Sequence, residues 1–246
     1  MLQRTFQHLP GIGARGEERL WKVGIRDWDV FIKTRRIEGI SSARKIALDR
    51  CLRADRAALE DERWNRFHVW PQRLHYRALA HLERIVYLDI ETYGVHANRV
   101  AIIGVSDGEH LRLIDGTRAD RNALSAVLST AEAIVTFNGS RFDLPYLERA
   151  FNYRPDCFTI DLEPLARTAG FRGGLKRIEH ELGITRARTL NGGDPLALWR
   201  SYRASGDDHF LELLSAYVEQ DVLTLPLLLD RIRRSWYGVA SSRCAI

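Results

Sequence analysis

Cysteine is scarce in this 246-residue chain: Cys51, Cys157 and Cys244 are widely spaced, odd in number and form no C-x-x-C pair. That pattern excludes a disulfide framework and a cysteine-based zinc cluster, so the thiols are expected to be inert. Long apolar runs are missing too. Arg, Glu or Asp interrupts every stretch before it approaches the roughly 18 apolar residues of a spanning helix, which excludes an integral membrane role. The first eight residues lack the apolar core of a signal peptide, and a cytoplasmic location is the expectation. There is no internal repeat, no low-complexity tract, and no ligand-like spacing among the eight histidines. With 45% hydrophobic and 28% charged residues, the composition is that of an ordered globular chain.

What is present is an uneven distribution of charge. The formal net charge is +5, and 17 of the 37 Lys and Arg but only 10 of the 32 Asp and Glu fall in the first 80 residues. The first third is therefore strongly basic and the remainder slightly acidic. This division suggests an anion-gripping segment joined to a part that needs carboxylates, and the commonest large anion is nucleic acid. A solvated, Arg-rich helical surface is the plain alternative.

Residues 1–80 read as short helices punctuated by Leu9-Pro10-Gly11-Ile12-Gly13, by Gly24 and by Gly39-Ile40-Ser41-Ser42, with a helix over 43–62 capped by Ser42. Near residue 81 the pattern changes. Segments 84–91, 100–105 and 110–114 are β-rich, with a hairpin at Asp107-Gly108. A helix over 120–130 then leads into a strand over 133–137, ended by Asn138-Gly139, and a short strand follows at 158–160. Helices are expected over 174–182, 194–204 and 208–236, with Pro226 kinking or splitting the last. The pattern predicts an α/β domain with a mixed sheet over 81–237, preceded by a small helical region over 1–80 and followed by a tail over 238–246.

Three groups of residues stand out. Asp89 and Glu91 are two apart in a strand, so their side chains share one face while Leu88 and Ile90 turn into a core. Adjacent carboxylates repel, and such a pair needs solvent, a positive side chain or a metal ion to compensate it. Asn138-Gly139-Ser140-Arg141-Phe142-Asp143 follows an apolar strand and places Asp143 in the first turn of a helix, where the dipole favours a carboxylate. Tyr217 and Asp221, four apart in the last helix, lie on one helical face. Taken singly, each has an ordinary structural explanation: exposed strand-edge acids, an N-terminal helix acid, a polar helix face.

Together, in this order and on these element types, they resemble the exonuclease motifs of the DEDD superfamily. The Tyr four residues before the last Asp matches the tyrosine subclass. The segment Asp161-Leu162, followed by Gly174-Leu175-Lys176-Arg177-Ile178-Glu179, is also similar to prokaryotic ribonuclease H-like-domain proteins, with Gly174 standing where Ser is usual. The resemblance spans roughly residues 84–235. It implies a ribonuclease H-like five-stranded mixed sheet flanked by helices and a 3′-to-5′ exonuclease activity carried by two divalent ions, Mg²⁺ or Mn²⁺. It further implies that Asp89, Glu91, Asp143 and Asp221 ligate the ions and that Tyr217 orients or deprotonates the attacking water. Hard ions of this kind take oxygen ligands, which a histidine-free acidic set supplies.

At the N-terminus, Leu9-Pro10-Gly11-Ile12-Gly13 with Arg15 resembles a helix-hairpin-helix motif, whose glycines let backbone N–H groups approach a phosphate. Gly11, Ile12, Gly13 and Arg15, together with Asn138 of the second motif, are the expected nucleic-acid contacts, with DNA favoured over RNA. Lys22, Arg26, Lys33, Arg35 and Arg36 extend the possible phosphate track. The six tryptophans are expected to pack rather than to stack on bases. A structure-selective endonuclease with the same metal centre, or a catalytically silent nucleic-acid-binding protein, stays open at this stage.

Overall fold

The computed structural model describes residues 2–94, 98–186 and 194–243, with side chains described up to residue 234. The chain divides into two compact units, Met1–Leu82 and Glu83–Ile246.

The N-terminal unit is helical. 3₁₀ segments at Leu2–Arg4, Trp64–Val69 and Gln72–His81 frame the α-helices α1 (Ala14–Lys22), α2 (Trp28–Lys33) and α3 (Ser42–Glu60). Asp27 caps α2 by accepting from Val30 N at 2.9 Å. Ser41, one residue before the expected Ser42, caps α3 through Arg44 N, because the helix begins at Ser42 itself. Phe6, Trp28, Phe31, Leu52, Phe67 and Leu74 form a sealed core, and the Trp28 indole N–H donates to Thr5 O at 2.8 Å. Trp28 and Trp70 are buried packing residues, as expected. The helix-hairpin-helix expectation meets a different local structure. Among the described residues the glycine turn is preceded only by the three-residue turn Leu2–Arg4, not by an α-helix.

The C-terminal unit is α/β. Its strands β1 (Ile85–Thr92), β2 (Val100–Ser106), β3 (Leu111–Asp115), β4 (Ala133–Thr136) and β5 (Phe158–Asp161) form one mixed sheet in the order β3-β2-β1-β4-β5. β1 pairs antiparallel with β2 and parallel with β4. The helices are α4 (Arg121–Leu128), α5 (Asp143–Phe151), α6 (Leu162–Thr168), α7 (Leu175–Glu181), α8 (Pro195–Ser205) and α9 (Asp208–Arg243). One sheet face carries Leu88, Ile90 and Ile103 against Leu124, Leu128, Tyr146 and Leu147 of α4 and α5. The other carries Ala101 and Ile102 against Leu198 and Trp199 of α8 and Leu214, Val218 and Val222 of α9. Both faces are covered, so β2 is buried along its whole length.

Two differences from the expected elements have physical reasons. Pro226 does not split α9, which runs unbroken through it and on to Arg243. The buried Leu225, Leu228, Leu229 and Ile232 hold that stretch by packing, which outweighs the loss of one N–H. Helix α6, unanticipated because its seven residues are too short to show periodicity, is started by Asp161, whose carboxylate accepts from Glu163 N at 3.0 Å. No helix among the described residues is long and apolar enough to cross a membrane.

Candidate metal centre

The site is built where β1 outruns its parallel neighbour. β4 pairs with β1 only over Ile85–Tyr87, so Asp89 and Glu91 project beyond it, at the carboxyl end of the parallel strands where open α/β sheets bind ligands. Their shared face is the one covered by α9. Asp89 stands opposite Gly104 of β2, and a Cβ on Gly104 would lie 2.6 Å from Val218 Cγ1 and 2.7 Å from Val222 Cγ2. The missing side chain thus lets α9 press directly onto the sheet beside Asp89. One consequence is that Asp221, the residue before Val222, joins Asp89 and Glu91, with carboxylate oxygens of the three within 4.8 Å of one another.

Asp143 reaches the same end of the sheet from α5. It is 2% exposed, and its Oδ1 accepts from Ile90 N, between the two β1 acids, at 3.0 Å. Its delivery depends on the turn after β4. Asn138 there adopts φ 62°, in the left-handed region. Gly139 fits because a Cβ at that position would collide with the Thr136 side chain. Asp161 clamps the turn: its carboxylate accepts from Asn138 N at 2.7 Å, Ser140 N at 3.1 Å and Ser140 Oγ at 2.5 Å.

The electrostatics of the cluster are those of a site with more negative than positive charge. Burial, then the charges of Asp143, Asp221 and Glu91, push the Asp89 carboxyl far above the usual range. Glu91 is raised to about 8 by burial and by Asp221 and Asp143, and Asp143 to about 7, chiefly by burial. Asp221 is also raised by burial, with the Arg186 guanidinium opposing the shift. A set of hard oxygen donors that cannot all ionise together fits one or more divalent cations, which would relieve the repulsion.

Tyr217 lies one turn before Asp221 with the Lys176 ammonium 4.2 Å from its ring centroid. Burial, followed by Asp221, Glu91 and Asp89, raises its phenol above the ordinary tyrosine value. Two further residues meet at the site: Arg186, which belongs to no sequence motif, and Glu179, which ends the Gly174–Glu179 stretch that carries part of the resemblance. Arg186 donates from Nε to Glu179 at 2.7 Å and from NH1 to Asp221 at 2.5 Å. Glu179 is 1% exposed and also accepts from the Thr224 hydroxyl. Gly174 does start α7 without a side-chain cap, in line with its standing in place of Ser.

The remaining expected contacts lie in the N-terminal unit. Gly11, Gly13 and Arg15 are exposed, and Ile12 is buried beneath them. Gly11 takes φ 73°, and the Arg44 guanidinium donates to Pro10 O at 3.1 Å beside it. Lys22, Arg26, Lys33, Arg35 and Arg36 are all exposed or nearly so at the surface of this unit.

A five-stranded mixed sheet with helices on both faces and acids gathered at the end of its central strand defines a ribonuclease H-like fold. The chain belongs to the RNase_H superfamily, whose RNase_H_2 model matches residues 86–233. Among solved structures it is similar to the family B DNA polymerase of the hyperthermophilic archaeon Pyrobaculum calidifontis, with 19% identity and a TM-score of 0.47, covering 60% of this chain and 24% of that one. It is also similar to Escherichia coli RNase D, an exoribonuclease involved in structured RNA processing, with 25% identity and a TM-score of 0.36, covering 67% of this chain and 46% of that one. The Nibbler EXO domain of Aedes aegypti matches with 13% identity and a TM-score of 0.44, covering 67% of this chain and 85% of that one. The chain thus spans less than half of the polymerase and of RNase D. No curated protein sequence matches it.

Proposed function

We propose that the protein is a metal-dependent nuclease that removes nucleotides from the 3′ end of a nucleic-acid strand, with DNA favoured over RNA, using two divalent ions, Mg²⁺ or Mn²⁺. The observation that carries this reading is the convergence of Asp89, Glu91 and Asp221 from β1 and α9, in a superfamily fold, with Arg186 paired to Asp221 alone of the three among the described residues. Asp89, Glu91 and Asp221 would hold one ion, and Asp143 with Asp89 the second. When bound, the ions supply charge neutralisation at the scissile phosphate and a water nucleophilic at neutral pH.

The chain's own residues do the rest. Tyr217 orients the attacking water through its hydroxyl, since a phenol pushed above its ordinary value is a poor base. Asn138, held in its left-handed turn by Asp161, contacts the strand being shortened. In the N-terminal unit, Gly11, Ile12, Gly13 and Arg15 form the phosphate-binding turn of a shortened helix-hairpin-helix, with Arg44 adding a fixed positive charge. This grip supplies affinity without reading sequence.

The test is a 3′-to-5′ digestion ladder. A 5′-labelled single strand incubated with Mg²⁺ or Mn²⁺ shortens from its 3′ end, and Asp89→Ala or Asp221→Ala stops it. Shortening that survives both substitutions removes the assignment, and cleavage of a circular strand makes the activity endonucleolytic.

A further inference from the structure

Among the described residues, Asp221 is the one member of the cluster paired with a cation of the chain itself, and that cation is in turn fixed from behind. Glu179 on α7, 1% exposed, binds the Arg186 Nε at 2.7 Å through one oxygen and the Thr224 hydroxyl through the other. Thr224 lies on α9 three residues after Asp221, and its hydroxyl, whose single proton goes mainly to Glu179, lies 3.1 Å from Asp221 O. Arg186 then reaches Asp221 Oδ1 with NH1 at 2.5 Å. The guanidinium NH2 has no hydrogen-bond partner among the described residues, so Arg186 is held through its other two nitrogens. The result is a closed loop, Asp221 to Arg186 to Glu179 to Thr224 and back to the Asp221 backbone, linking α7, α9 and the segment after α7.

We propose that Arg186 is a positioning residue for the metal centre: anchored by Glu179, it holds one oxygen of Asp221 and so fixes how that carboxylate is presented to Asp89 and Glu91. A planar guanidinium can hold two carboxylates at once in fixed geometry, and a lysine ammonium cannot do so from the same stem. Because the anchor Glu179 is itself an anion, the Arg186–Glu179 pair adds little net charge at the centre. Its effect is on the geometry of Asp221 rather than on repulsion of the incoming ion. The inference rests on Asp221 being a metal ligand.

The experiment is a Mn²⁺ titration of the chelator-stripped full chain, with free Mn²⁺ read by its electron paramagnetic resonance signal. In Arg186→Lys the Mn²⁺ dissociation constant is expected to rise about tenfold, the lower end of what removal of an outer-shell partner costs, with the far-ultraviolet circular dichroism unchanged. The Mn²⁺ concentration for half-maximal cleavage moves in step while the rate at saturating Mn²⁺ is retained. Thr224→Val, which removes the hydroxyl that sets Glu179, shifts binding in the same direction by a smaller factor and serves if Arg186→Lys does not fold. Unchanged or tighter Mn²⁺ binding in the folded variants overturns the proposal, tighter binding identifying the guanidinium as a competitor of the ion. Asp221→Asn separates the two layers. If it leaves Mn²⁺ binding unchanged, the ligand reading fails and this inference with it. If it weakens binding while Arg186→Lys and Thr224→Val do not, only the role of Arg186 fails.

Discussion

Glu17 of the N-terminal unit is buried and Asp89 of the C-terminal unit half-buried, and the surroundings of these two acids are opposite. Glu17 accepts from Thr5 Oγ1 at 2.7 Å, Phe6 N at 2.6 Å and Gln7 Nε2 at 2.7 Å, with Arg77 at 3.9 Å. Asp55 in the same unit is bound by Arg66 at 2.7 Å and His8 at 3.1 Å. Asp89 instead faces Asp143, Asp221 and Glu91, with Arg186 opposing them. A buried carboxylate supplied with donors is part of the scaffold; one surrounded by other carboxylates makes the fold less stable until something positive arrives. Burial of acids is therefore not by itself a mark of function. What distinguishes the two regions is which of them has left its charges unsatisfied.

The sharpest way to break this contrast is to neutralise one acid in each unit. Asp89→Asn is expected to reduce nuclease activity to background while raising the melting temperature of the metal-free protein, because it relieves repulsion. Glu17→Gln is expected to lower that temperature, since its amide presents a donor to donors and costs about 1–3 kcal/mol. Thermal melts followed by circular dichroism, with chelator present, read both signs; a shift of the same sign in the two variants would erase the distinction.

The contrast also predicts a pH dependence. Glu91 sits at about 8 instead of near 4.5, and Asp143 at about 7 instead of near 3.8. Between the unfolded and folded values the native state holds more protons than the unfolded chain, so stability falls as pH rises through that window. Metal-free protein should therefore melt lower at pH 8.5 than at pH 5.5. Because a bound divalent ion replaces those protons, stabilisation by Mg²⁺ should be larger at the higher pH. Melts at the two pH values with and without Mg²⁺ measure this, and equal Mg²⁺ stabilisation at both would contradict it.

Gly104 tests how the acids are brought together. Its absent Cβ is the space that Val218 and Val222 occupy, and both valines are fully buried with little rotamer freedom. Gly104→Ala is expected to cost about 1–3 kcal/mol of stability through overpacking, and to weaken Mn²⁺ binding by moving Asp221 away from β1. A variant that loses stability but binds Mn²⁺ as before would show that α9 can shift without opening the cluster.

Much of this is readable from residues alone, for reasons the structure makes plain. Strands β1 to β5 are marked by short apolar, β-rich runs, whereas the grouping of Asp89, Glu91, Asp143 and Asp221 is what the resemblance of their motifs implies, not something periodicity shows. Gly104 and Arg186 carry no such signal, and Asp161 is marked only as part of a stretch that carries the resemblance, with no sign of what it does. Gly104 is one glycine in a strand, and its meaning lies in a helix more than a hundred residues later. Asp161 caps a helix that the sequence does not announce, and its carboxylate also holds a turn 21 and 23 residues earlier. Arg186 meets Asp221 across 35 residues. Pro226 allows a kink or a split by its local rule, and the packing of a helix face keeps α9 from splitting there. The missing first helix before Leu9-Pro10-Gly11-Ile12-Gly13 is similar: the glycine pattern specifies a turn, not what precedes it.

The smallest expected effect lies on the basic side of the comparison. If the N-terminal unit grips phosphates, its satisfied interior acids are irrelevant to binding and its exposed cations carry the affinity. Arg35 and Arg36 are both exposed, so neither substitution should disturb the fold. Arg35→Ala/Arg36→Ala should weaken binding of a labelled DNA strand by the catalytically inert Asp89→Asn protein only modestly. Removing a cation that neutralises one phosphate lowers the slope of log affinity against log salt by about 1. The slope is a better readout than affinity at one salt concentration, because it reports how many phosphates are neutralised irrespective of how strongly each is held. A slope unchanged in the double variant would place the phosphate grip elsewhere, at the glycine turn or along the metal-binding end of the sheet.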